Sequence, residues 1–278
     1  KCPTFAGCQQ FDMEREGKIT EEEAAGALII IKGIQNDESP AATTPPLQIQ
    51  IAPATTTQSE IDGYKTYLLG LINHDRTIAG LTQLTSGTNS AAQLHAEEML
   101  EHSYLSHWGL DGSKPYMRFA IAAGISGDFE NVSGIEAELA EGVQYREIVS
   151  VETELREAQR GFMRSTGHRE TILNPWHQQV NLGIACNVFT CAVVQHFEAQ
   201  YVEYEEIPNI ASGVLSVSGR ILSPFAFELF DIWYERPPSP LSLGQVDVTS
   251  CYGIGDIPVA FVSPPPPPGS FYPEGNSI

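Results

Sequence analysis

The feature that most constrains the fold of this chain is a change of hydrophobic period between residues 61 and 206. Four stretches repeat apolar residues at three- and four-residue steps, as one face of an amphipathic helix does. These stretches are Ile61–Ile78, Ala91–His102, Lys114–Ala123 and Ile148–Ser165. Two apolar or alternating runs follow, Asn181–Cys186 and Cys191–Phe197, and they predict a β-hairpin. Helices that precede a pair of strands predict an α+β or three-layer fold.

The cysteines fall into two close pairs and one remainder. Cys186 and Cys191 border the turn of the predicted hairpin and should face each other across it, while Cys2 and Cys8 lie close together near the start of the chain. Close pairs are typical of short-loop disulfides formed in an oxidising compartment, and buried free thiols are the alternative. Cys251 is the odd cysteine.

Composition divides the chain into four regions. Residues 1–38 form an acidic segment with one helix-like pattern, 39–60 a Pro/Thr-rich linker, 61–206 the helix-and-hairpin core, and 207–278 a β-rich domain with a Pro-rich tail. The strands predicted in the last region are Val214–Val217, Phe225–Tyr234, Gln245–Tyr252 and Pro258–Val262. This region is either a docking module or a stabilising appendage.

The charge of the chain excludes two classes of partner. Its 15 Lys and Arg stand against 35 Asp and Glu, for a formal net charge of −20. Nucleic acids and anionic membranes both require clustered cationic side chains, so neither is an expected partner. No window of the sequence is apolar enough to predict a transmembrane segment. Because the chain starts at Lys1 rather than at a Met, we expect that an N-terminal piece has been removed or left out.

The acidic segment contains a motif for calcium. Residues Asp12–Glu23 fit a twelve-residue calcium loop, with acids at the first, third and fifth positions, Gly17 at the sixth and Glu at the twelfth. The expected ligands are Asp12, Glu14, Glu16, Glu23 and, through its backbone carbonyl, Lys18. The segment resembles an EF-hand or a dockerin-type loop, although Glu replaces the usual Asp or Asn at two positions. The alternative is a capping box that starts a surface helix, with Thr20 as its N-cap.

Three segments of the core concentrate groups that could bind a metal or move protons. They carry His107 in a loop after a helix, Glu130 beside Asn131, and His168 just past a Gly at the start of a short helix. Two imidazoles and a carboxylate on loops held by helices could coordinate Zn²⁺ and leave a position open for water.

The order of these segments resembles the CAP superfamily, which comprises cysteine-rich secretory proteins, antigen 5 and pathogenesis-related 1 proteins, and most of all its compact bacterial (SCP-like) branch. The likeness covers roughly residues 61–200. It implies an α-β-α sandwich that is secreted or displayed at the cell surface, with a central cavity of two His and two acidic residues that can bind divalent metal. The stretches that carry the resemblance are LHAEEMLEHSYLSH, DGSKPYMRF, FENVSG, FMRSTGHRETILNP, NLGIAC and AVVQHF.

The resemblance assigns the cavity residue by residue. His107 matches the first cavity histidine, Glu130 the glutamate of the Glu-Asn motif, and His168 the second histidine. The helix before His168 lacks the usual intervening stretch, so Glu154 and Glu157 are only candidates for the second acid. Outside the cavity set, we expect His95 to be a core histidine and Arg118 to pair with a carboxylate beneath the site, whereas the sequence gives no usable signal for His102, His177 or His196.

Three functions are compatible with these features. The leading prediction is an extracellular binding protein at the cell surface, without enzyme activity, whose partners are other extracellular or envelope proteins; no Ser-His-Asp or Cys-His nucleophile set is visible. The first alternative is a metal-dependent peptidase with Zn²⁺ on His107 and His168 and with Glu130 activating water. The second is a carrier of lipid or sterol, a role that some CAP proteins perform.

Overall fold

The computed structural model describes residues 57–134, 147–211, 214–226, 230–246, 248–249, 252–253 and 255–262. The acidic segment 1–38, with Cys2, Cys8 and the calcium loop Asp12–Glu23, lies outside the described residues, as do most of the linker and Cys251. The calcium site and the Cys2–Cys8 disulfide therefore stay predictions.

The predicted helices are present, with small changes at their ends. Ala91–His102 has the predicted bounds, whereas the first helix begins three residues before Ile61 because Thr57 and Glu60 form a reciprocal capping box. The helices of the described residues are α1 (Gln58–Ile78), α2 (Ala91–His102), α3 (Pro115–Ile121), α4 (Val151–Arg164), α5 (Thr166–Ile172) and α6 (Leu243–Val246).

The strands form one central sheet and two separate ladders. The central sheet has the order β1-β3-β4-β2, and β5 pairs with β6 as β7 does with β8. The strands are β1 (Thr85–Ser86), β2 (Gly127–Ser133), β3 (Gln179–Cys186), β4 (Cys191–Ala199), β5 (Val202–Ala211), β6 (Val214–Ile221), β7 (Phe230–Tyr234) and β8 (Ile257–Val262). β3 and β4 are the predicted hairpin, and Cys186 is opposite Cys191 and bonded to it.

Strand alternation gives the central sheet two apolar faces, and helices cover both. One core combines α1, α4 and α5 with one face of the sheet through Leu68, Ile72, Leu155, Phe162, Ile172, Val180, Val193 and Phe197. The other core combines α2 with the opposite face through Ala92, Ala96, Met99, Val132, Ala192 and Val194. Helix α2 packs so closely that a Cβ on Gly183 would lie 1.9 Å from the carbonyl oxygen of Ala92. This arrangement confirms the α+β class and its α-β-α layers.

The C-terminal region differs from the prediction in three respects, the first of which is that the strand predicted at Phe225–Tyr234 is observed at Phe230–Tyr234. β5 crosses the expected boundary at residues 206/207 and pairs with β6 in a ladder separate from the central sheet. The strand predicted at Gln245–Tyr252 is wrong, because Leu243–Val246 is a short helix whose Val246 is buried in the α2 core. Tertiary burial of one apolar side chain outweighs the local β-propensity here.

Among the described residues, no helix is both long enough and apolar enough to cross a bilayer.

The disulfide gives a first testable prediction. Cys186 and Cys191 are five residues apart, and closing so short a loop restricts the unfolded chain enough to stabilise the fold by about 2 kcal/mol. We expect the double variant Cys186→Ala/Cys191→Ala to lose about that much free energy of unfolding in a urea titration. Alkylation of both cysteines in denatured, unreduced wild-type protein would show that the bond is not formed.

Candidate functional site

The site is built on the edge strand β2, where acidic side chains point toward the layer of α2 and α3. Alternation along β2 puts Asp128, Glu130 and Val132 on one face, and Val132 belongs to the α2 core. In the antiparallel ladder with β4, Glu130 is directly opposite His196. Two neighbouring strands therefore present a carboxylate and an imidazole side by side in the interior.

Three donors from three different elements converge on the carboxylate of Glu130. Its Oε1 is 2.8 Å from Nδ1 of His107, which lies in the loop between α2 and α3. Its Oε2 accepts from Nη2 of Arg118 on α3 at 2.9 Å and lies 2.6 Å from Nε2 of His196 on β4. The side chain of Glu130 is completely buried, and the pairing of Arg118 with a carboxylate beneath the site is confirmed.

The buried charges of this cluster alternate in sign. Burial alone would raise the pKa of Glu130, but the charges of Arg118 and His196, together with the hydrogen bond from His107, hold that pKa well below its ordinary value. Burial alone would lower the pKa of His196, whereas Glu130 and Asp128 raise it to about 9. Nδ1 of His196 lies 3.0 Å from Oδ1 of Asp128, an ion-pair distance without hydrogen-bond alignment.

The loop that carries His107 is fixed from both sides. Nη2 of Arg118 donates to the carbonyl oxygen of His107 at 2.9 Å, and Nη1 donates to that of Ser113 at 2.8 Å. On the other side, Nε2 of the buried His95 lies 2.8 Å from the carbonyl oxygen of Ser106. The prediction that His95 is a satisfied core histidine is therefore confirmed.

Glu98 holds the same loop through a second set of hydrogen bonds. Its carboxylate accepts from the hydroxyl of Tyr104 at 2.8 Å and from the backbone N–H of Leu110 at 3.1 Å. Burial alone would raise the pKa of Glu98, but hydrogen bonds from His95, Tyr104 and Leu110 lower it to about 2. This carboxylate is therefore ionised throughout the physiological range.

The contact with Glu130 determines which ring nitrogen His107 can offer to a ligand. An ionised carboxylate only accepts hydrogen bonds, so Nδ1 of His107 carries the proton and Nε2 is left for another partner. The side chain of His107 is 20% exposed, while that of Glu130 is fully enclosed. The site thus has an accessible imidazole in front of a buried carboxylate.

His168 lies in the helix layer of α1, α4 and α5, on the opposite side of the sheet from α2. It lies in α5, and its carbonyl oxygen accepts from Nδ2 of Asn131 at 3.3 Å. Asn131 points to the other face of β2, where it joins a buried chain of amides with Gln195 and Gln159. Burial lowers the pKa of the His168 imidazole, and the nearby charge of His107 lowers it further.

The structure brings only part of the predicted metal set into contact. His107 and Glu130 are bonded, whereas His168 is attached to the other face of β2. Within the part of the chain that the structure describes, no group of three His, Cys, Asp or Glu residues is arranged to hold a metal ion. Of the candidates for a second acid, Glu157 pairs with Arg160 at the surface and Glu154 lies in the first turn of α4.

Sequence reasoning missed three residues of the site, namely His196, Asp128 and Tyr252. The ring of Tyr252 packs edge-on against His107, with their centroids 5.5 Å apart. If the strand Gly127–Ser133 had been recognised in the sequence, strand alternation would have put Asp128 on the same face as Glu130, because the two are two residues apart. The opposition of His196 to Glu130 depends on the β2–β4 register, which no local pattern specifies.

Comparisons with known proteins find similar solved structures. No protein-family model matches the sequence, and no curated protein matches it either. The chain is similar to an extracellular protein containing an SCP domain from Bacillus anthracis str. Ames, with 18% identity, a TM-score of 0.41, and coverage of 56% of this chain and 45% of that one. It is also similar to an outer surface protein from Borrelia burgdorferi, with 15% identity, a TM-score of 0.37, and coverage of 50% and 94%. This chain thus spans less than half of the Bacillus protein.

We predict that neutralising Glu130, at the centre of the charge cluster, strongly lowers the free energy of unfolding. We expect Glu130→Gln to lower the free energy of unfolding by about 3–5 kcal/mol, because it leaves Arg118 and His196 buried without their shared carboxylate. Glu157→Gln is the matched control, since it removes an exposed ion pair with Arg160 and should cost less than about 1 kcal/mol. Equal urea midpoints for the two variants would contradict the account.

The raised pKa of His196 predicts a specific pH dependence. Its pKa rises from an ordinary 6.5 to about 9, so the folded state holds this proton more tightly than the unfolded state does. The stabilisation is complete below pH 6.5 and is lost as the pH rises toward 9. We therefore expect the difference in unfolding free energy between wild type and His196→Gln to shrink across that interval. A difference that stays constant there would show that His196 is neutral.

Proposed function

We propose that this chain is an extracellular CAP-type binding protein in which Glu130 supports a binding site and does not catalyse a reaction. The observation that carries the proposal is the occupation of both carboxylate oxygens of Glu130 by three donors. A carboxylate that activates water needs an acceptor position directed at that water and a pKa near the working pH. The depressed pKa of Glu130 argues against such a role.

Three features support the extracellular CAP assignment. The order of the His107, Glu130 and His168 motifs resembles the superfamily, and the sheet is covered by helices on both faces. The Cys186–Cys191 disulfide is typical of proteins in an oxidising compartment. We therefore infer that the partners are other extracellular or envelope proteins. The lipid-carrier alternative stays a prediction.

A divalent transition-metal ion is the small ligand that this site suits best. His107 is backed by a carboxylate on Nδ1, the arrangement that commonly orients a metal-ligating imidazole and leaves Nε2 available. His168 matches the second cavity histidine in the CAP resemblance, and its lowered pKa favours the neutral form that binds metal. In this proposal Glu130 orients His107 and is not itself a ligand, so His107 and His168 are the two protein ligands.

Zinc titration followed by a peptide-cleavage assay tests the proposal. We expect wild-type protein to bind Zn²⁺, and His107→Ala and His168→Ala each to weaken binding by about tenfold or more, since each removes one of two imidazoles. His102→Ala is the matched control, because His102 is exposed at the end of α2. We expect no variant, with or without Zn²⁺, to cleave a broad peptide library.

Two results would contradict the proposal. Zinc affinity that is the same in all three variants would remove the metal site. Peptide cleavage by the wild type that His107→Ala abolishes would replace the binding function with that of a metal-dependent hydrolase, the alternative in which Glu130 activates water.

A further inference from the structure

The residues that the structure describes between Glu235 and Asp256 cross the loop that carries His107, and we call them the strap. They are residues 235–246, 248–249, 252–253 and 255–256. The strap joins β7 to β8 and contains α6. Its contacts with the core fall at its two ends, in its middle and at Tyr252.

Both ends of the strap are attached to residues just after the His107 loop. Nζ of Lys114 lies 2.7 Å from Oε1 of Glu235 and 3.7 Å from Oδ1 of Asp256, so one ammonium group holds both ends. The hydroxyl of Tyr116 donates to Glu235 and accepts from the backbone N–H of Gly255 at 3.2 Å. Lys114 and Tyr116 are therefore a common anchor for the strap.

The middle of the strap contacts the His107 loop itself. The backbone N–H of Leu241 donates to the carbonyl oxygen of Leu110 at 2.7 Å, and Oγ of Ser106 donates to the carbonyl oxygen of Thr249 at 3.0 Å. Gly112 has a φ of +84°, and a Cβ there would lie 2.1 Å from the carbonyl oxygen of Ser239. A glycine at position 112 of the loop therefore leaves room for the backbone of the strap at Ser239.

Tyr252 brings the strap into the site. Its ring packs edge-on against His107 with centroids 5.5 Å apart, and it lies tilted against Tyr116 at 6.3 Å. Tyr252 therefore covers one side of His107, while a 20% exposed edge stays open to solvent.

The strap has few apolar contacts with the α2 core, made by Val246 and by the partly buried Leu241. Val246 is its one buried residue among those that the structure describes, and most of the others are exposed. Pro237, Pro238 and Pro240 have no N–H with which to join a ladder. Segments with few buried apolar contacts are those that open locally without global unfolding.

We propose that the strap is a built-in cover of the His107 site and that Tyr252 is the side chain that limits access to it. With the strap closed, only a small ligand can reach the open edge of His107; a partner that needs the whole imidazole face has to displace Tyr252. This inference rests on the proposed function, because it describes how the binding site around His107 is regulated.

Covalent labelling of histidines by diethyl pyrocarbonate, mapped by peptide mass spectrometry, tests the cover without using a metal. In wild type, His107 should react more slowly than the exposed His74 and His102, and faster than the buried His95 and His196. We expect Tyr252→Ala to raise the rate at His107 by about five- to tenfold, because the protecting ring is removed. Tyr252→Phe should react like wild type, because it keeps the ring.

Two further variants separate opening of the strap from loss of the fold. Glu235→Gln removes the ion pair with Lys114 at a distance from His107 and should also raise the rate there. Glu203→Gln removes a carboxylate from an exposed ion pair on β5 and should leave the rate unchanged. If His95 and His196 become reactive in Tyr252→Ala, that variant has unfolded and Glu235→Gln decides the test.

The proposal is overturned if His107 in wild type already reacts as fast as His102, or if neither Tyr252→Ala nor Glu235→Gln changes its rate. Labelling does not depend on Zn²⁺, so a cover can be found in a protein that fails the zinc titration. Conversely, zinc binding together with unchanged labelling would retain the proposed function and remove the cover.

Discussion

The burial of the Glu130 carboxylate is the constraint on which the site and much of its surroundings depend. An ionised carboxylate inside a protein is stable only where cations and hydrogen-bond donors replace its water. Here the donors come from α3, β4 and the His107 loop, so these elements have to meet at the edge of the sheet. The acids Asp128 and Glu130 alternate with the cations His196 and Arg118, and the interior cluster is balanced in charge.

This balance is the reason why we propose a binding role for the site and not a catalytic one. Because both carboxylate oxygens of Glu130 are occupied, we propose that its contribution is to set the orientation and proton position of the partly exposed His107. The guanidinium of Arg118 donates both to the backbone carbonyl oxygen of His107 and to the carboxylate of Glu130. One side chain therefore links the buried carboxylate to the partly exposed His107. The strap then adds Tyr252 on the other side of His107. The imidazole of His107 is therefore bonded to Glu130 on one side and partly covered by Tyr252 on another.

The sequence predicted those parts of the fold that depend on local pattern. The helix at Ala91–His102, the β3–β4 hairpin and its disulfide follow from periodicity and from cysteine spacing. The motif order that resembles the CAP superfamily singled out His107 and Glu130, which are in contact, and Arg118 was expected to pair with a carboxylate.

The missing parts depend on contacts between distant residues. Strand β2 was not recognised because Gly127, Asp128 and Asn131 have low β-propensity, and its ladder with β4 holds it in place. His196 shows its role only once the register sets it opposite Glu130. Tyr252 reaches His107 through a fold-back of the C-terminal region, and the same packing makes Leu243–Val246 helical where a strand was expected.

The most direct test of the charge cluster is the protonation state of His196, read from the ¹⁵N chemical shifts of its ring by NMR. We expect that at about pH 7.5 both ring nitrogens of His196 carry protons, because Glu130 and Asp128 stabilise the imidazolium. A neutral His196 ring at that pH, with one unprotonated nitrogen, would contradict the alternating charges and with them the proposed role of Glu130.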